Sequence, residues 1–139
     1  MSTATGTLRG TIDAYNDAWN AHDLAAIATM HAPGMVFENH TAGERAVGDE
    51  ALEHIGRIFD SWPDITFTAR RLYVRDDLVV QEWTARATHT KRMRRGDIVA
   101  EPTGRVIEWD GMDVIPFEDG LIARKDVYST SGSARVLAP

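Results

Sequence analysis

The chain has 139 residues, 43% of them apolar and 26% charged, the proportions of one globular domain over residues 1–139 that needs no metal or disulfide to hold its core. A net charge of −6 disfavours general nucleic-acid binding, because binding phosphates needs a positive field. The absence of cysteine excludes disulfides, thiol nucleophiles and thiolate metal sites.

In chain order, Leu8, Ile12, Tyr15 and Trp19 step by helical intervals and predict an amphipathic first helix, broken by residues 20–23. Asp23 is a suitable N-cap for a second helix through Met30, with Leu24, Ile27 and either Met30 or His31 inward and Pro33-Gly34 stopping it. A short strand is expected over residues 35–40, with Met35, Phe37 and Asn39 on one face, then a polar loop over 41–48. A third helix over 49–62 buries Leu52, Ile55, Phe59 and Trp62, and Asp49 and Glu50 favour its N-terminal dipole. After Pro63 the pattern turns to strands, at 65–74 and 78–90, rich in Val, Thr, Trp and Tyr. The loop over 91–103 contains Lys91, Arg92, Arg94 and Arg95, read as a solvated charge run. No apolar run approaches the ~20 residues of a membrane span and no signal-type apolar segment opens the chain, so a cytoplasmic protein with no membrane partner is expected.

The most informative stretch is 104–128: two strands, 105–117 and 121–129, joined at Glu118-Asp119-Gly120, a turn of the kind hairpins favour. Alternation puts Asp113 on a face with Ile115 and Phe117, and Asp126 on a face with Ile122 and Arg124. A carboxylate among such neighbours costs several kcal/mol unless it is paired, hydrogen-bonded or protonated, so both acids are candidates for a reaction pocket. Helices first and a strand meander afterwards predict an α+β domain: three helices on a curved, mainly antiparallel sheet whose concave side leaves a cavity.

The order of these elements, with 15–23 (YNDAWNAHD) in front and 118–122 (EDGLI) near the end, resembles the nuclear transport factor 2-like superfamily. Within it, 102–105 (PTGR) and 87–90 (ATHT) are similar to patterns of the SnoaL-like polyketide cyclases and the ketosteroid isomerase-like group. The resemblance spans nearly the whole chain, and it implies a cone-shaped α+β barrel, a homodimer joined through the outer sheet face, and a pocket inside the cone. In the isomerase branch a helix tyrosine and a strand aspartic acid form an oxyanion hole while a second aspartate moves the proton. The resemblance puts Tyr15 on the tyrosine, Asp113 on the oxyanion-hole acid and Asn39 on the base. A carboxamide cannot take the proton as a carboxylate does, which argues against the familiar steroid route. In the cyclase-like and epoxide hydrolase-like branches the acid or base is a last-strand aspartate, at or beside Asp126.

The expectation is therefore a division of labour in which Asp113 stays protonated and donates, Asp126 stays ionised and accepts, Arg124 either holds Asp126 ionised or orients a substrate oxygen, and Asn39 orients substrate or water. Trp19, Phe37, Phe59, Trp62, Trp83 and Phe117 are candidate walls for a flat apolar ligand, and His89 is a candidate at the pocket mouth. His22, His31, His40 and His54 lack HExxH-type spacing and are expected on loops or helix surfaces, so no metal is expected. No nucleotide-binding glycine motif and no GxSxG elbow is present, and no cofactor is expected. The function this implies is acid–base chemistry (cyclisation, isomerisation or epoxide hydrolysis) on a small apolar carbonyl or epoxide compound. The alternative is a small-molecule-binding or accessory domain of the same fold.

Overall fold

A computed structural model gives the architecture and describes residues 3–137. Helix α1 (Thr3–Asn20) buries the stripe Leu8, Ile12, Tyr15 and Trp19. Helix α2 (Leu24–Met30) starts at Asp23, whose carboxylate accepts the Ala26 amide at 3.1 Å. Strand β1 (His31–Asn39) follows directly, ahead of the expected start at Met35, because Pro33-Gly34 lies within the strand. Its pairing slips there, between His31 and Val36. Strand β2 (Glu44–Val47) stands where a polar loop is expected; at four residues, with Glu44, Arg45 and Val47 exposed, it has the form of a short charged edge strand with no readable alternation. Helix α3 (Asp49–Ser61) turns Ala51, Ile55 and Phe59 inward.

Strands β3 (Thr66–Arg75) and β4 (Leu78–Thr88) form a hairpin. The basic loop is not bare, since β5 (Met93–Arg95) and β6 (Ile98–Ala100) pair as a small separate sheet within it. Strands β7 (Val106–Glu118) and β8 (Leu121–Tyr128) make the central hairpin. Both turn residues are left-handed, Asp119 at φ 51° and Gly120 at φ 79°, as a two-residue turn matching strand twist requires. A fourth helix, α4 (Ser131–Leu137), follows and adds to the three expected.

The main sheet has the order β2-β1-β8-β7-β4-β3, antiparallel except where β1 runs parallel to β8. It curls around the helices as an α+β cone, and β7 and β8 lie at its centre. Where β4 meets β7, Trp83 pairs with Gly111. A Cβ on Gly111 would lie 2.2 Å from the indole, so glycine is what lets Trp83 lie flat along the inner wall.

Candidate active site

Register builds the site. Across four adjacent strands Asn39 of β1 lies beside Val127 of β8, Val127 beside Asp113 of β7, and Asp113 beside Gln81 of β4. All four side chains are buried inside the cone. Helix α1 brings Asn16, on the Ile12-Asn16-Trp19 stripe, onto this row: its amide donates to Gln81 Oε1 at 2.8 Å, and Gln81 Nε2 donates to Asn16 Oδ1 at 3.2 Å and to Asp113 Oδ2 at 2.9 Å. Lys125 of β8 completes the group. Its Nζ is 3.8 Å from Asp113 Oδ2, 3.7 Å from the centroid of the Trp19 ring and 5.0 Å from that of Tyr15.

These groups line a cavity of about 590 Å³ whose walls include Trp19, Phe37, Trp62, Trp83 and Trp109. Glu44, His54, Arg57 and Arg95 line it as well, and His54 Nε2 stands 4.0 Å from Glu44. The cavity combines aromatic walls with many polar and charged side chains, a mixed lining in which several polar groups converge on one space. Burial pushes the Lys125 ammonium below its ordinary range, although the Asp113 carboxylate acts in the opposite sense. Asp113 Oδ1 is buried without a hydrogen-bond partner, an unmet acceptor in a site otherwise paired. Gln81 donates to Asp113 Oδ2 and Lys125 faces the same oxygen, while Oδ1 stays open toward the cavity side of the group.

Of the residues expected at the site, Asp113, Asn39, Trp19, Phe37, Trp62 and Trp83 line the cavity. Asn39 Oδ1 is already engaged, accepting the amides of Thr41 at 3.2 Å and Ala42 at 3.1 Å in a local turn. Asp126 is on the other face of the sheet. Between paired positions 114 and 117 of β7, the partner strand β8 runs from 126 to 122, so one extra residue bulges into β8. The bulge reverses the alternation: Ile122 and Lys125 both point inward, and Arg124 and Asp126 point out. There Asp126 takes two hydrogen bonds from Arg124, at 2.8 and 3.2 Å, and lies 2.8 Å from His40 Nε2, while Arg124 also reaches Glu38 at 3.1 Å. These bonds, the Arg124 pair foremost, hold the Asp126 carboxyl below its usual range.

Tyr15 does not face Asp113 through its hydroxyl, which is 2.9 Å from His31 Nε2. Burial pushes that phenol up, and burial together with the Lys125 charge lowers His31 to about 4, so at neutral pH both are uncharged. Phe59 stacks on His22 with ring centroids 4.2 Å apart, and Phe117 is buried in the core, so neither lines the cavity. His89 lines a separate hollow with Arg105 and Arg135, and its Nδ1 is 3.2 Å from Thr103 Oγ1. Glu38, His40 and Asp126 bring ligand-type atoms within 4.8 Å of one another, a grouping the sequence reading did not anticipate. The guanidinium of Arg124 already bonds both of its carboxylates.

Lys125, Gln81, Asn16 and the cavity-facing His54 were not singled out from sequence. Gln81 was within reach, because it shares its alternation face with Trp83 and Ala85. Lys125 was hidden by the bulge.

Residues 12–125 match the model of the SnoaL-like domain, and the chain belongs to that family. No protein of curated function matches the sequence. Among solved structures, a SnoaL-like protein of Jannaschia sp. CCS1, provisionally assigned as a polyketide cyclase, superposes with a TM-score of 0.84 at 16% identity over 100% of this chain and 97% of that one. IdmH of Streptomyces antibioticus, also provisionally a polyketide cyclase, gives 0.76 at 24% identity over 92% and 95%. A protein of Catenulispora acidiphila with a ketosteroid isomerase-like fold, in complex with trimethylamine, gives 0.72 at 16% identity over 92% and 91%. At these identities the likeness is one of fold. Among the described residues no helix is long and apolar enough to cross a membrane.

Proposed function

We propose that this protein is a cofactor-independent acid–base catalyst acting on a small, flat, apolar carbonyl compound. The observation that carries this reading is the buried Asp113–Lys125 pair, 3.8 Å apart, in a cavity walled by indoles. Asp113 is the proton acceptor and donor at the carbon next to the carbonyl. Lys125 supplies positive charge where the oxygen becomes an enolate, and the Asn16–Gln81 pair fixes the carboxylate. Enolisation of this kind serves an isomerisation or an aldol-type cyclisation. Asp126 is given no part in it, because it lies across the sheet from the cavity.

We also propose that the protein works in the cytoplasm as a homodimer joined through the outer sheet face. Met112 and Tyr128 are paired neighbours on that face, and both are exposed.

The test of the chemistry uses β-tetralone, a flat ketone with acidic α-hydrogens, in D₂O followed by proton NMR. The expected result is saturable acceleration of α-deuterium exchange, lowered by about 10²–10⁴-fold in Asp113→Asn, the usual worth of a general base. Binding of β-tetralone with no exchange above buffer would replace this reading with that of a binding domain.

A further inference from the structure

The chain contains two lysines, Lys91 and Lys125, against thirteen arginines. Solvent-reached ion pairs such as Arg86–Glu108, Arg92–Glu101 and Arg124–Asp126 use arginine. The cation on the inner wall of the main cavity, among the buried residues, is a lysine. The difference is chemical. An arginine would serve the carboxylate at least as well and in two-point geometry, but it does not become a nucleophile, whereas a desolvated lysine does. Among the described residues, no oxygen or nitrogen accepts a hydrogen bond from Lys125 Nζ; its neighbours are the Asp113 carboxylate at 3.8 Å and the faces of Trp19 and Tyr15. An ammonium meant only as a structural counter-ion normally forms closer bonds than these. Burial also shifts Lys125 toward the uncharged amine.

We infer that Lys125 forms an imine with an aldehyde or ketone substrate, making the cavity a covalent carbonyl-binding site. The inference rests on the acid–base reading above, because Asp113 must carry the protons. Asp113 takes a proton from the Lys125 ammonium. The free amine attacks the carbonyl carbon, a C–N bond forms, and the carbonyl π pair moves to oxygen, which receives the proton from Asp113. Nitrogen then returns one proton to Asp113, its lone pair expels the hydroxyl, and Asp113 protonates the departing group as water. Ammonium and carbonyl have become iminium and water, with the Asp113 carboxylate regenerated. That carboxylate then removes the α-proton, more acidic beside an iminium than beside a ketone, to give the neutral enamine.

The two lysines make the test internally controlled. The full chain is incubated with β-tetralone and sodium cyanoborohydride near neutral pH, digested and sequenced by mass spectrometry. The expected result is a reduced tetralyl adduct on Lys125 that saturates with ketone concentration, while any adduct on exposed Lys91 rises linearly. Lys125→Arg keeps a cation beside Asp113 and should lose the saturable adduct, with folding checked by circular dichroism. If that variant does not fold, the labelled peptide from the wild type decides alone. Deuterium exchange without a saturable adduct on Lys125 overturns the imine and leaves the acid–base reading standing. Absence of both overturns both.

Discussion

Two ion-pair systems use neighbouring residues of β8, and they are built in opposite ways. On the outer face Arg124 and Asp126 meet in two hydrogen bonds of 2.8 and 3.2 Å, with Glu38 and His40 close by and solvent within reach. On the inner face Lys125 and Asp113 stand 3.8 Å apart, their side chains only 7% and 2% exposed. The pair with good geometry sits where water screens it and an ion pair contributes about 0–1 kcal/mol. The looser pair sits where each charge costs several kcal/mol to desolvate and the attraction is only partly realised. A fold selecting for stability alone would reverse these geometries. The proposed chemistry accounts for this, because it needs the inner pair open to a substrate.

The sharpest way to break this comparison is to remove one inner partner. Lys125→Met leaves Asp113 buried beside an apolar chain and is expected to destabilise the protein by about 3–5 kcal/mol, the usual penalty for orphaning a buried charge. Asp113→Asn combined with Lys125→Met removes both charges and should recover most of that loss. Urea unfolding of the two variants checks both numbers. A loss under ~1 kcal/mol in the single variant would mean that the inner pair is no more coupled than the outer one.

The same contrast shows what the sequence makes legible. The cone, the order of its elements and the central hairpin follow from helical stripes at Leu8 to Trp19 and Ile55 to Phe59, from strand alternation, and from the Asp119-Gly120 turn. Alternation also puts Asp113 on the inner face, because β7 runs without interruption from Trp109 through Phe117. It fails on β8, where one bulged residue exchanges the faces of Lys125 and Asp126. A bulge leaves little trace in a strand pattern of eight residues, so strict alternation passes over the site's cation and puts the carboxylate of Asp126 inward. The Tyr15–His31 bond was unreadable for a different cause: it joins a helix to a strand through side chains, and neither periodicity carries that information. Short elements such as β2, β5, β6 and α4 likewise offer too few residues for a pattern.

A second prediction concerns the proton balance behind the inner pair. His31 titrates near 4 in the folded protein, against about 6.5 for an unperturbed histidine, with burial the main cause and Lys125 the second. The folded pKa is the lower one, so between these values the unfolded chain binds the proton first. The stability contributed by neutral His31 is therefore complete above about pH 6.5 and is lost as pH falls toward 4. Allowing for solvent reaching part of the ring, the loss should be about 1–2 kcal/mol. Asp64 and Asp126 are depressed carboxylates whose contributions fade only at pH values below 3.8, so the two windows separate. Denaturant midpoints measured from pH 7 down to pH 4 should fall in the wild type and stay flatter in His31→Phe. Equal slopes would show that burial and the Lys125 charge do not keep the ring neutral.

The smallest effect is expected on the outer face, and its smallness is the point. Asp126→Asn removes the charge but keeps a side chain of the same shape, with one oxygen still able to accept from Arg124. The Arg124 guanidinium retains Glu38 at 3.1 Å, so no buried charge is stranded. The variant should lose no more than ~1 kcal/mol of stability, and the loss should shrink as salt is added. Deuterium exchange of β-tetralone and the adduct on Lys125 should both match the wild type, because the sheet separates Asp126 from the cavity. A large drop in exchange with unchanged stability would return Asp126 to the chemistry. That outcome requires β8 to rotate its bulged segment and present Asp126 inward, which would carry Lys125 out of the cavity and break both of its aromatic contacts.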